Sequence, residues 1–199
     1  MGRGCGSVQA GMDALFQQAF SVAKQVHSQT QISAGQVSIG SAALAFAGQI
    51  FTHFDDKAVL MIGAGEMGEL TLKHLMGHHP RWVIVTNRTA ARAQDVADRL
   101  GIEAGPFEQL ADLLVEADIV LSCTGSPEPI VTPALCANLP HRRRYRPLLM
   151  IDMAVPRDIE EAVGSLENVF VYNIDDLQRV TEQHQAERQS KVLQGEEII

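Results

Sequence analysis

Apolar and polar positions fall in blocks along this chain, and the block lengths separate strands from helices. Short runs at 58–62, 82–86, 118–122, 148–152 and 169–172 are almost wholly apolar. Between them, at 66–76, 89–100, 107–116 and 159–163, apolar residues recur every three or four positions. The first kind reads as strands buried on both faces, the second as amphipathic helices packed on them. A short additional strand is expected near Ile102-Glu103-Ala104. Strands and helices that alternate in this way argue an α/β fold, a parallel sheet covered on both faces.

Two helices are expected before the first strand. Leu15, Phe16, Ala19, Phe20, Ala23 and Val26 form one apolar stripe on a helix over 12–26. Thr30 or Ser33 can cap a second, from about 34 to 51. The pair reads as an appendage, the end of a preceding domain. The expected organisation is a helical segment at 1–54, the alternating unit at 55–174, and a polar helix rich in Gln, Glu and Arg at 175–199. No Gly or Pro stop closes that last helix, so it is expected to run on toward a further domain.

The first strand leads into Gly63-Ala64-Gly65-Glu66-Met67-Gly68, which opens a helix. A glycine-rich turn between strand and helix suits a pyrophosphate. The first glycine permits the tight turn, the second lets the backbone approach the phosphates, and the third lets the helix pack on the strand. The helix N-terminus offers free N–H groups and a positive dipole end. The alternative is a tight turn that binds nothing. With the motif on its first strand, the chain is expected to form a Rossmann-type doubly wound parallel sheet of order 3-2-1-4-5-6, with an N-terminal helical appendage and a C-terminal linker helix.

The second strand ends at Thr86, followed by Asn87, Arg88 and Thr89, with Arg92 one turn on. NAD-specific sheets carry an acid about 20 residues after the glycines, bonded to the ribose 2′-hydroxyl. Here that neighbourhood holds Asn87 and an arginine, which can pair with a 2′-phosphate. NADP(H) is favoured over NAD(H). The alternative is a solvated helix start, but cations in a first helical turn oppose the dipole. Ligands of this fold lie beyond the carboxyl ends of the strands, so Ser122, Thr124 and Gly125 are expected to border the nicotinamide and ribose. Asp152, after the fifth strand, is either a polar anchor near the cofactor or a structural acceptor for loop amides.

Composition narrows the field. The chain has 199 residues, 46% of them hydrophobic, and a net charge of −8. That supports a substantial core and disfavours a broad basic surface for nucleic acid. The one basic cluster, His141-Arg142-Arg143-Arg144-Tyr145-Arg146, reads as a solvated loop rather than an RNA contact. No apolar stretch reaches membrane-spanning length and the first residues, Met1 to Ser7, lack the apolar core of a signal peptide, so a cytoplasmic protein is expected. The cysteines, Cys5, Cys123 and Cys136, form neither a disulfide framework nor a zinc pattern. His74 and His78 have metal-ligand spacing but no local carboxylate, and no metal site is expected. No Ser-His-Asp set or catalytic carboxylate pair stands out.

Several segments together resemble the glutamyl-tRNA reductase family: Ser38-Ile39-Gly40-Ser41-Ala42-Ala43, Gly63 to Leu70, Asn87-Arg88-Thr89, Ser122 to Ile130, Ile151 to Ile159, and Asn168 to Leu177. The glycine motif alone is shared with shikimate-dehydrogenase-like domains. The resemblance runs from about Leu15 to Ile199. It implies the central NADPH domain of an enzyme that reduces glutamyl-tRNA(Glu) to glutamate-1-semialdehyde in porphyrin (5-aminolevulinate) biosynthesis. A cysteine thiolate attacks the ester, and hydride from NADPH reduces the thioester. It also implies a homodimer formed by a C-terminal domain and channelling to the downstream aminomutase. By resemblance, Gly63 to Gly68 bind pyrophosphate, Arg88 and Thr89 receive the 2′-phosphate, and Ser38 and Ser41 face the nicotinamide side. The family's nucleophile sits in a Ser-Thr-Cys-Asn-Arg-type motif that this sequence lacks. No catalytic residue is therefore expected here, and the chain is expected to bind NADPH without turnover. The alternative is a stand-alone shikimate-dehydrogenase-like NADP oxidoreductase.

Overall fold

The strands of this protein form because runs such as Ala58-Val59-Leu60-Met61-Ile62 bury every side chain. The computed structural model describes residues 39–177 and 179. The expected helix at 12–26 and nearly all of the polar tail lie outside them. In chain order the elements are α1 (Ile39–Ile50), β1 (Ala58–Ile62), α2 (Glu66–Met76), β2 (Trp82–Thr86), α3 (Ala90–Leu100), β3 (Glu103–Gly105), α4 (Leu110–Glu116), β4 (Ile119–Ser122), α5 (Pro133–Cys136), α6 (Leu139–Arg142), β5 (Leu148–Asp152) and β6 (Val169–Asn173). Single 3-10 turns, Phe107–Gln109 and Glu161–Ser165, stand before α4 and before β6. All strand pairs are parallel, and the order is β3-β2-β1-β4-β5-β6, as the sequence predicts.

Successive side chains of a strand point to opposite faces, and the core divides accordingly. Val59, Met61, Val85, Leu121 and Ile151 pack with α1, α2 and α3. Leu60, Ile62, Val120, Leu148 and Met150 pack under α4, Leu139 of α6 and Val163. Each fully buried leucine, such as Leu72 and Leu75 of α2, contributes roughly 1.5–3 kcal/mol. Glycine ends α3: Gly101 adopts φ +67° and donates its N–H to Ala97, the left-handed cap that side chains with a Cβ resist. After β6, Asn173 Oδ1 accepts from the amides of Asp175 (2.8 Å) and Asp176 (3.2 Å), which starts the helical turn at 174–177.

Two features differ from expectation. The boundary expected at 54 falls after α1, yet Ala43, Phe46 and Ala47 are buried in the sheet's own core. The Phe46 ring meets Tyr172 of β6 at 4.1 Å between centroids, and the compact unit begins at Ser38. The basic run is not simply a solvated loop. Arg143 is 1% exposed and donates to the carbonyls of Leu114, Val115, Ala117 and Pro147. Burial, with Arg146 alongside, pulls its pKa down to about 10, so it remains charged at neutral pH. Arg146 pairs with Asp118 at 2.9 Å and Arg142 with Asp112 at 2.7 Å. Arg143 fastens the end of α4, whose last carbonyls have no partner within the helix.

Candidate cofactor-binding cleft

The sheet order reverses between β1 and β4, and beyond the carboxyl ends of these strands the chain opens a crevice. Its floor is the glycine turn. Gly63 donates its N–H to Thr86 O (2.8 Å) and accepts no side chain: at φ +109°, an added Cβ would lie 2.3 Å from Cys123 O. Gly68 brings α2 close to the strand, where a Cβ would lie 3.3 Å from Gly63 O and Met61 Sδ. Gly65 behaves differently. It is the N-cap of α2 in extended conformation (φ −91°, ψ 169°), makes no side-chain cap, and a Cβ there would meet nothing within 4 Å. The first-turn N–H groups of α2 have no partner inside the helix, and the space in front of Gly65 is open. This arrangement fits a phosphate held by backbone amides.

A cleft of about 250 Å³ adjoins the turn. It brings together Gly63, Asn87, Arg88, Thr89, Arg92, Thr124 and Gly125, all singled out from the sequence, with Phe107, Ser126 and Ile130. Asn87 Nδ2 donates to Thr89 O at 3.1 Å, which shapes the tip of β2. Arg88 reaches across the mouth and donates from Nη2 to Ser126 Oγ at 2.6 Å. Among the described residues, neither Arg88 nor Arg92 pairs with a carboxylate. Two uncompensated guanidiniums beside open backbone amides suit a ligand with more than one phosphate.

Ala64, Gly65, Glu66, Met67 and Gly68 belong to the turn and the first turn of α2 but do not line this cleft; of the six turn residues Gly63 alone does. Ser122 does not line it either. It is fully buried, and its hydroxyl donates to Asp158 Oδ2 at 2.7 Å. Ser38 and the side chain of Ser41 lie outside the described residues.

The loop after β4 is organised by Asp158, a residue that motif reading does not single out. Its buried carboxylate accepts from Ser122 Oγ, from Thr124 N (2.9 Å) and from Thr124 Oγ1. Its own carbonyl accepts from Ile130 N and Val131 N. Asp152 takes the structural role: its carboxylate accepts from Ala154 N (3.0 Å) and Ile159 N (2.9 Å). Burial raises its pKa, against the pull of those amides. Burial, with Asp158 and Asp152 nearby, likewise pushes the Cys123 thiol up. That disfavours a thiolate nucleophile at this position.

A parallel sheet of this order, with a glycine turn and a phosphate-suited cleft at its switch point, defines a Rossmann-type nucleotide-binding domain of the dehydrogenase kind. The chain belongs to the shikimate / quinate 5-dehydrogenase family, whose model matches residues 45–180, more than half of the chain. Within that breadth it is similar to glutamyl-tRNA reductases, as its motifs suggest. It is 46% identical to the glutamyl-tRNA reductase of Aromatoleum aromaticum over 185 residues, 93% of this chain and 44% of that protein. It is 42% identical to that of Shewanella halifaxensis over 193 residues, 97% of this chain and 46% of that protein. The solved glutamyl-tRNA reductase of Methanopyrus kandleri superposes with a TM-score of 0.73 at 38% identity, covering 92% of this chain and 46% of that one. The chain thus spans less than half the length of the curated relatives it matches. The nucleotide-binding domain of the Thermoplasma volcanium reductase shares the fold, with a TM-score of 0.56 at 19% identity, covering 77% of this chain and 98% of that one.

Proposed function

We propose that this chain is the NADPH-binding part of a glutamyl-tRNA reductase and that the cleft takes the adenosine end of NADPH. One observation carries the reading: Gly63, the first residue of the glycine turn, and two guanidiniums without carboxylate partners among the described residues line a single cleft. Gly63 to Gly68 would hold the pyrophosphate through backbone amides. Arg88, Thr89 and Arg92 would receive the 2′-phosphate. An acid at the tip of β2 would repel that group; Asn87 stands there instead. Thr124 and Gly125 would border the ribose.

When bound, the nicotinamide supplies hydride; this chain's residues orient the cofactor. The substrate would be glutamyl-tRNA(Glu) and the product glutamate-1-semialdehyde. None of Cys5, Cys123 and Cys136 sits in the family's nucleophile motif, so the chain alone is proposed to bind without turnover. Dimerisation and a cytoplasmic setting belong to the same proposal. Among the described residues no helix is long and apolar enough to cross a membrane.

Calorimetric titration with NADPH and NADH tests the reading. A charge-assisted bond to the 2′-phosphate is worth about 1.5–3 kcal/mol, so NADPH should bind roughly 10- to 100-fold more tightly. Arg88→Ala should remove most of that difference. Equal affinity for both cofactors in the wild-type chain overturns the assignment. The family match over 45–180 also favours a second reading, a self-contained shikimate-dehydrogenase-like oxidoreductase. NADP-dependent oxidation of shikimate by this chain would select it.

A further inference from the structure

We infer that Ser126 is a positioning residue for cofactor specificity: it holds the Arg88 guanidinium at the mouth of the cleft, so the loop after β4 helps set the preference for a 2′-phosphate. The inference rests on the NADPH reading above and goes beyond it by assigning a role to a second strand's loop.

Arg88 is exposed, and a long exposed side chain samples many rotamers unless it is tied. Its tie is Ser126, itself 5% exposed and part of the cleft wall. A hydroxyl has one hydrogen to give. Ser126 Oγ gives it to Glu128 O at 2.6 Å, so toward Arg88 Nη2, also at 2.6 Å, it acts as acceptor. That polarity suits a guanidinium, which only donates. One N–H of Arg88 is spent on the tie, and the others stay available to an anion.

Ser126 is in turn fixed from below. Its amide donates to Thr124 Oγ1 at 3.1 Å, and that hydroxyl donates to the buried Asp158 carboxylate. A continuous path, Asp158–Thr124–Ser126–Arg88, therefore runs from the core to the cation at the rim. Arg92, the other arginine of the cleft, has no such tether among the described residues.

A double-mutant cycle on the full chain, with NADPH and NADH titrated by calorimetry, tests this. Ser126→Ala should weaken NADPH binding about tenfold, the effect of losing one charged hydrogen-bond partner, and change NADH binding by less than about twofold. Ser126→Cys, nearly the same shape with a poorer acceptor, should lose preference in the same direction and guards against misfolding of the alanine variant. In an Arg88→Ala background, Ser126→Ala should have little further effect on NADPH, because the two residues act as one unit. Equal losses for both cofactors, or additive losses in the cycle, overturn the inference. If wild type prefers NADPH and Arg88→Ala abolishes the preference while both Ser126 variants keep it, this inference alone fails. If wild type shows no preference, the NADPH reading fails, and this one with it.

Discussion

Gly65→Ala separates the two tasks a glycine can have in this turn. Gly65 lies at φ −91° and ψ 169°, a conformation open to any residue, and a Cβ there meets no heavy atom within 4 Å. The added methyl therefore clashes with nothing in the free protein. It also restricts the unfolded chain, a gain of about 0.4–1 kcal/mol. Against this, alanine is a poorer N-cap than glycine by about 0.5–1 kcal/mol. The two terms nearly cancel, and the urea midpoint should shift by the equivalent of less than about 0.5 kcal/mol. Cofactor binding should respond very differently. A phosphate bonded to backbone amides needs heavy atoms about 2.7–3.2 Å apart, and the methyl would stand in that approach. Losing one such charge-assisted bond costs about 1.5–3 kcal/mol, or roughly 10- to 100-fold in NADPH affinity. Gly63→Ala should fail in the opposite way. Its φ of +109° and the 2.3 Å approach to Cys123 O make it a folding defect of about 3 kcal/mol or more. Urea unfolding and calorimetric titration of both variants make the comparison. A Gly65→Ala protein that unfolds like wild type and binds NADPH within twofold of it would refute the pyrophosphate role of the turn.

Arg92→Ala should weaken NADPH about fivefold at low salt and less at high salt, since an exposed charge contact is screened; titrations at two ionic strengths check this. Asp158→Asn should lower stability by about 2–3 kcal/mol, because an amide NH₂ cannot accept from Ser122 Oγ and Thr124 N as the carboxylate oxygen does. An unchanged urea midpoint would remove that role. Asp152 has a folded pKa above its ordinary 3.8, from burial, so the folded state holds its proton more tightly than the unfolded one. This group's contribution is therefore greatest at low pH and declines as pH rises from 3.8 through the folded pKa. In Asp152→Asn that opposing contribution is gone, and the unfolding midpoint should climb more steeply with pH across that window; a parallel climb would contradict the assignment.

The sheet was legible because its strands are short, continuous apolar runs, and 82–86 and 148–152 coincide with the observed β2 and β5. The helices α5 and α6 were not, since four residues are too few to show a helical period. A helix over about 34–51 is expected from the sequence, but not the surface that buries α1; only the meeting of Phe46 with Tyr172 decides that. Arg143 misled for a related reason. Its partners are main-chain carbonyls, which leave no mark in a pattern of side chains. In the cleft, spacing pointed to the residues of β1 and β2, because the motif counts from the glycines. It could not separate Ser122, turned into the core at the end of β4, from Ser126, four residues on at the wall. Nor could it show that the acid holding this loop, Asp158, lies after the next strand.

α1 and the turn at 174–177, the first described helix and the turn that follows the last strand, belong to the same core face, where Leu177 is buried with Ala43 and Phe46, and Phe46 meets Tyr172. The sheet is thus covered on that face by chain from both of its flanks. A homologous exchange of this unit would have to carry both flanks with it. Such an exchange would have to include α1, because a cut at 54 would take Ala43, Phe46 and Ala47 out of a core face that α2 and α3 cover only in part.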